Sequence, residues 1–356
     1  MQVLFDADPE FVRWCEAEDG NLSEHLCEFD SEWQNTVFEK IADAQGLDAI
    51  AYLLYHGGEE IKSPMMRLSA ESLVTIEKCL GLLPEHNEMT LKLARRGMTR
   101  FPRIPHYLLC DTAFFVDLPA EASTYAVPFE LREKGIRRYG GYGLCHQWAW
   151  EQARSRAKEP FRRVITAYLG NHTNVAAIRD GKPVETSIGF TPVEGIMSSN
   201  SCGDIDPTIV FQLLSSGMSL KDINLLLSRE SGMSGLLARQ SDFSSIVKNL
   251  EDPEAAFVRQ VFLHNIKKYL GAFVSILGGA DAIVFTGEHV KESLSVVLEI
   301  CRSLEFLGIK CKSSVSETSD TSVLSETDSY VQAFCFEYNR WNCFAKHIRN
   351  STTKEV

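Results

Sequence analysis

Short apolar runs punctuated by Gly, Asp and Asn alternate along this chain with stretches whose apolar positions recur every three or four residues. The first pattern marks buried strands, the second helices that lie on them. Residues 49–55 read as a strand ending at His56-Gly57-Gly58. Residues 69–82 put Leu73, Ile76 and Leu80 on one helical face, with Pro84 as the stop, and a second helix is expected over 87–97. Pro105 to Asp111 reads as another buried strand. Val164–Leu169, Val175–Ile178 and Val184–Ser187 read as three short strands, with Asp180-Gly181 as the turn between the last two. Helices are expected at 206–216, 219–228 and 252–270, then a strand from Ala280 to Thr286 ending at Gly287. A helix over 290–307 aligns Val296, Val297, Ile300, Leu304 and Leu307. Residues 313–328 are rich in Ser and Thr and read as an exposed loop. Tyr330 to Glu337 is a last strand and Asn339 to Arg349 a last helix. Strands alternating with helices give an α/β class.

Composition narrows the partners. The 356 residues allow about two domains. Lys and Arg number 36 against 48 Asp and Glu, a net charge of −12. Basic runs stop at two residues, as at Arg95-Arg96 and Arg137-Arg138, so no nucleic-acid or anionic-membrane partner is expected. No apolar stretch reaches the ~20 residues of a membrane span, and the first residues do not read as a signal peptide. The ten cysteines include no C-x-x-C pair, which argues against zinc. They read as free thiols of a reducing compartment, so a cytoplasmic location is expected.

In open α/β sheets ligands gather where strands end. Four strand ends here carry polar residues or glycines: His56-Gly57-Gly58, Asp111-Thr112, Gly170-Asn171 and Thr286-Gly287. With Gly135-Ile136-Arg137-Arg138-Tyr139-Gly140, Thr186-Ser187-Ile188-Gly189-Phe190-Thr191-Pro192, Gly203-Asp204-Ile205-Asp206-Pro207, the run Asp281 to Gly287 and the phrase 304–310, they form an ordered series. Through this series the chain resembles acetate kinase, of the acetate/propionate kinases within the sugar-kinase and actin-like superfamily, over most of its length. The resemblance implies two actin-like (ribonuclease H-like) α/β lobes around a cleft, usually as a homodimer. It implies phosphoryl transfer from ATP to a short carboxylate with Mg²⁺. On it, residues 1–111 form an N-terminal lobe completed by a helix over about 338–350, and 112–337 a C-terminal lobe.

Phosphoryl transfer needs positive charge at the γ-phosphate, a metal and a placed acceptor, and the family positions for these are altered. The family's opening strand and Asn-x-Gly-Ser-Ser-Ser loop are expected to be missing. Its arginine before His-Gly-Gly is Leu53, and its arginine before Ser-Gly-Asp is Ser201, followed by Cys202. Two histidines become Tyr142 and Tyr168, and a metal-holding Glu becomes Arg340. The nucleotide loop Gly-Gly-Ile-Gly-Glu-Asn becomes Gly287-Glu288-His289-Val290-Lys291-Glu292. Gly170-Asn171 is followed by His172, and the adenosine-side Ser-Asp-x-Arg-Asp becomes Ser241-Asp242-Phe243-Ser244-Ser245. Positions matching the acetate pocket are Tyr55, Glu85, Gly141 and Pro192, of which only the proline fits.

Asp111 is the family's essential carboxylate; its other reading is a strand-end acceptor of backbone hydrogen bonds. His86 is a substrate-side remnant, while Gly170, Asn171, Asp242, Phe243 and Gly287 are nucleotide-side remnants. His86 and His146 read as hydrogen-bonded structural groups, and Arg137 and Arg138 with Tyr139 as braces of the lobe interface. Asp204 and Asp206 read as loop and helix-cap acceptors. The leading expectation is a family member that has kept the fold and lost ATP:acetate chemistry, with no metal site and with a scaffold or regulatory role, as a homodimer or paired with a paralogue. The alternative is an active acetate or short-chain carboxylate kinase using ATP and Mg²⁺. A third possibility is a cleft repurposed for another small molecule through Tyr142, Cys145, Tyr168, His172, Ser201, Cys202, Glu288 and His289.

Overall fold

The computed structural model describes residues 1–28, 33–42, 46–157, 160–249, 251–288, 290–312 and 323–352. The chain divides into two compact units. The first comprises Met1–Val116, Gly141–Leu144 and Asn339–Val356; the second comprises Asp117–Gly140 and Cys145–Tyr338.

The first unit is built on six strands: β1 (Gln2–Ala7), β2 (Phe11–Glu18), β3 (Asn21–Glu28), β4 (Ala49–Leu54), β5 (Met65–Arg67) and β6 (His106–Cys110). Their order is β3-β2-β1-β4-β6-β5. β1, β2 and β3 run antiparallel, while β1, β4 and β6 run parallel. β4 is buried at all six positions, as a central parallel strand covered on both faces should be. The β2–β3 turn is Asp19-Gly20, both residues at positive φ (47° and 89°), the backbone of a tight hairpin.

The second unit holds β7 (Arg163–Tyr168), β8 (Asn174–Arg179), β9 (Lys182–Thr186), β10 (Ala282–Gly287) and β11 (Gln332–Glu337), ordered β11-β10-β7-β8-β9. β7, β8 and β9 are antiparallel, and β7, β10 and β11 are parallel. Asp180-Gly181 makes the β8–β9 turn at φ 51° and 83°. Five strands of each unit therefore repeat one pattern, and β1 occupies in the first sheet the place of β7 in the second. This corrects the expectation of a missing opening strand: Gln2 to Ala7 is that strand, buried from Val3 onward. The loop after it is three residues, Asp8, Pro9 and Glu10, with no Ser-rich run.

Other expectations shift at the ends of elements. Pro84 opens the helix Pro84–Arg100 rather than stopping the one before; the missing N–H of a proline costs nothing at a first helical position. The preceding helix, Ala70–Lys78, is held by a capping box in which Ser69 and Ser72 bond reciprocally. The helix expected over 290–307 is broken into Val290–Ser293, Leu294–Ser303 and Glu305–Leu307, with Gly308 at φ 92° ending it. The long helix runs further than its pattern suggests, Pro253–Leu277, capped by Asp252 and terminated by left-handed Gly278. Helices Trp33–Ala42 and Gly143–Arg156 went unforeseen. Of the loop expected over 313–328, residues 313–322 lie outside the described residues.

Candidate functional site: a buried carboxylate held by two guanidiniums

Three parallel strands of the first unit, β1, β4 and β6, lead into Asp6, Tyr55 and Asp111 at the same end of the sheet. Asp6 is fully buried. The β1–β2 register places Arg13 directly opposite it, and Arg13 Nη2 donates to Asp6 Oδ2 at 2.7 Å. Tyr55 donates its hydroxyl to Asp6 Oδ1 at 2.5 Å. Arg340, in the first turn of the helix Arg340–Thr352, donates from Nη1 to the same Oδ2 that Arg13 uses. Burial works to raise the Asp6 carboxyl, but the Arg340 and Arg13 charges and the two side-chain hydrogen bonds outweigh it and hold it below the usual range. The Tyr55 hydroxyl is pushed far up by burial and by Asp6.

Asp111 lies beside this group and within the field of Arg340 and Asp6. Its Oδ2 accepts the Tyr142 N–H at 3.0 Å and its Oδ1 the Leu144 N–H at 3.2 Å. Tyr142 reaches that position with a left-handed backbone, φ 57°. Gly143 is required next to it, because a Cβ there would stand 2.2 Å from the Asp111 carbonyl oxygen. Burial pushes the Asp111 carboxyl up to about 6, against the pull of the two backbone N–H groups and Arg340. His86 Nε2 lies 4.0 Å from Asp8 Oδ2, and its ring sits edge-on to Tyr55 at 4.8 Å. Leu53 is buried within β4, Gly141 is buried, and Glu85 is exposed in the first helical turn after Pro84, where the helix dipole favours it.

These residues do not fit the divalent cation that the resemblance implies. Magnesium asks for oxygen ligands in near-octahedral array. Here a guanidinium is seated on Asp6, and both Asp111 oxygens take backbone N–H groups. Among the described residues no group of three or more His, Cys, Asp or Glu side chains is placed to hold a metal ion.

In the second unit the nucleotide-side positions carry structural bonds. Asn171 Oδ1 accepts the Phe243 N–H at 3.0 Å and the Ser199 hydroxyl at 3.1 Å. Asp242 caps the helix Phe243–Lys248 by accepting the Ser245 N–H at 2.7 Å. Phe243 is buried, edge-on to Phe262. Ser244 donates to Glu292, which also pairs with Lys248. Gly287, at φ 156°, lies where a Cβ would meet the Leu169 carbonyl oxygen at 2.1 Å, so strand contact alone demands glycine. Ser201 is buried and shares a 2.7 Å hydrogen bond with Ser198. Tyr168 is buried, Gly170, Pro192 and Glu288 are half-buried, and His172 is exposed. His289 lies outside the described residues. Cys145 is buried, and burial raises the Cys202 thiol.

His146 is buried between Thr166 and Asn174, and burial lowers it to about 4, which suits a neutral structural imidazole. Asp204 accepts the Gly195 N–H and the Tyr269 hydroxyl, and Asp206 the Thr208 N–H. Arg138 is tied down within its own unit. It pairs with Glu185 at 2.9 Å and Glu194 at 3.5 Å and donates to the Thr186 carbonyl, all in the second unit, and so braces β9. Sequence reasoning missed Asp6 and Arg13. The signal for Asp6 was available, an acidic residue closing an apolar run; Arg13 needed the strand register.

Residues 19–345 match the model of the acetokinase family. The chain is 32% identical over 313 residues to an acetate kinase of Halothermothrix orenii, covering 86% of this chain and 78% of that protein. It is 35% identical over 307 residues to an acetate kinase of Coprothermobacter proteolyticus, covering 84% and 76%. In fold it is similar to a propionate kinase from Francisella tularensis, with a TM-score of 0.88 at 24% identity over 97% of each chain. It is also similar to Porphyromonas gingivalis acetate kinase, with a TM-score of 0.85 at 25% identity over 97% of this chain and 98% of the other.

Proposed function

Because the chain belongs to the acetokinase family, we propose that it is a member whose ATP:acetate phosphotransferase chemistry is lost and whose two actin-like lobes serve a scaffold or regulatory role. The observation that carries this reading is Arg340 seated on Asp6 beside Asp111. A fixed cation there competes with a mobile one, and its charge repels Mg²⁺. The family's charge clamp is also gone at Leu53 and Ser201, both buried and uncharged. One electrostatic donor of this kind is typically worth ~10²–10³ in rate, so two losses compound. On the nucleotide side, Asn171, Asp242 and Ser244 have their hydrogen bonds committed within the unit.

A second reading, an active acetate or short-chain carboxylate kinase with ATP and Mg²⁺, draws on the 32–35% identity to proteins named acetate kinase. The discriminating experiment follows ADP formation from ATP and Mg²⁺ with acetate, propionate and butyrate. The first reading expects no acid-dependent ADP above background. Turnover with any of the acids would replace it by the second. For partners we propose a second copy or a paralogue, on the strength of Ile209, Phe211 and Leu214, exposed at 43%, 63% and 37% on one short helix. No helix among the described residues is long and apolar enough to cross a membrane. A cytoplasmic location is proposed from the ten cysteines, which form no disulfide among the described residues.

A further inference from the structure

The chain contains two Asp-Gly pairs, Asp19-Gly20 and Asp180-Gly181. Both make two-residue hairpin turns of the same backbone form, with φ 47° and 89° at the first and 51° and 83° at the second. Their surroundings differ. At the second, Arg162 grips the Asp180 carboxylate with Nε donating to Oδ1 at 2.9 Å and Nη2 to Oδ2 at 3.2 Å. The Asp180 N–H donates in turn to the Arg162 carbonyl at 2.7 Å. Gly181 lies under the indole of Trp150, which a Cβ there would meet at 2.8 Å. At the first, Asp19 and Gly20 are both exposed, and a Cβ on Gly20 would meet nothing within 4 Å. Among the described residues the Asp19 carboxylate enters no hydrogen bond or ion pair. This turn leads into β3, the edge strand, most of whose side chains are exposed, so little resists its local opening.

We infer that Asp19-Gly20 is a site of spontaneous isoaspartyl formation, and that Arg162 and Trp150 hold Asp180-Gly181 out of the same reaction. The Gly20 backbone nitrogen attacks the Asp19 Cγ. An N–C bond forms, the Cγ–OH bond breaks, and the hydroxyl leaves with the amide proton as water, closing a five-membered succinimide. A water then opens the ring. Attack at Cγ restores aspartate. Attack at the main-chain carbonyl carbon leaves the chain running through Cβ and Cγ, with a free α-carboxylate. No oxidant or cofactor is needed, and the mass is unchanged. Ring closure needs a side chain free to take a proton and turn, and a following residue free to bring its nitrogen round. Glycine, with no Cβ, hinders that approach least. Among the described residues nothing packs on Gly20 to oppose it. At Asp180 the guanidinium keeps the carboxylate charged and in place, and Gly181 cannot turn without pushing into Trp150. An exposed ion pair restrains weakly by itself, which makes the indole the second restraint. At Asp19 the product puts one more backbone carbon into a turn whose closing pair is Glu18 and Asn21.

The test uses the full chain. Native protein is incubated at neutral pH and physiological temperature in water enriched in oxygen-18, then digested in ordinary water and mapped by mass. Each ring opening leaves one solvent oxygen in the peptide. The expected result is label at Asp19, together with an isomer of its peptide that an Asp-specific protease does not cleave. Label is expected to accumulate about tenfold faster there than at Asp180, a ratio equal to about 1.4 kcal/mol of restraint. In urea the two pairs are expected to label at similar rates, which assigns the difference to the fold. R162A is expected to raise labelling at Asp180 several-fold and leave Asp19 as it was. The inference is overturned if native Asp180 labels as fast as Asp19, if Asp19 stays unlabelled in the native protein, or if the native ratio persists in urea. Folded R162A that labels Asp180 no faster than the parent also overturns it. The parent measurements decide the matter even if R162A fails to fold.

Discussion

Asp6 holds two arginines and a tyrosine on one carboxylate with no access to water, so each partner compensates for the burial of the others. Removing one partner from a buried ion group typically costs about 3–5 kcal/mol, because the remaining charge stays desolvated. R340A is expected to fall at the low end of that range, since Arg13 remains, and urea unfolding measures it. A loss below about 1 kcal/mol would mean that Arg340 does not neutralise Asp6. The two carboxylates also pull stability in opposite directions with pH. Asp6 has a depressed folded pKa, so its contribution is present above the unfolded value of 3.8 and is lost as pH falls through the folded one. Asp111 has a raised one. Between 3.8 and about 6 the folded protein keeps a proton that the unfolded chain has released, and stability falls as pH rises across that window. D111N is expected to flatten this fall and leave the acid limb due to Asp6; unfolding at several pH values reads both. An unchanged profile in D111N would place the Asp111 carboxyl at an ordinary value.

At the scale of elements, hydrophobic patterning located β4, β6, β7, β8, β9, β10 and β11, because each is a short apolar run bounded by turn residues. The first hairpin went unread although Asp19-Gly20 is the same signal as Asp180-Gly181. Its strand β3 lies at the sheet edge with most side chains exposed, so the apolar contrast that marks a strand is absent there. The supposed loss of the opening strand failed for a related reason. The turn after β1 is short, and sheet order, which fixes β1 beside β4, is a property of pairing that cannot be read along one segment. Strand contact also accounts for Gly287 without any ligand. G287A sets a Cβ against the Leu169 carbonyl and is expected to cost about 1–3 kcal/mol, seen as a lowered melting temperature in the absence of nucleotide. An unchanged melting temperature would return Gly287 to the nucleotide loop as its reason for being glycine.

For the whole molecule, the family was legible because its strand-end motifs survive in order, and the match over residues 19–345 agrees with that reading. The centre was legible only in part. Substitution at Arg340 could be read from the sequence, but its seat on Asp6, 334 residues away, could not. Long-range ion pairs leave no spacing signature, and only the folded sheet brings the two ends of the chain together. The account turns on whether this centre still admits a metal-bound nucleotide. A ligand at 100 times its dissociation constant stabilises the folded state by ~2.7 kcal/mol, a few degrees for a chain of this size. The most direct measurement is therefore the melting temperature at millimolar ATP or ADP, with and without Mg²⁺. The account expects no Mg²⁺-dependent shift with either nucleotide; a reproducible upward shift that requires Mg²⁺ would contradict it.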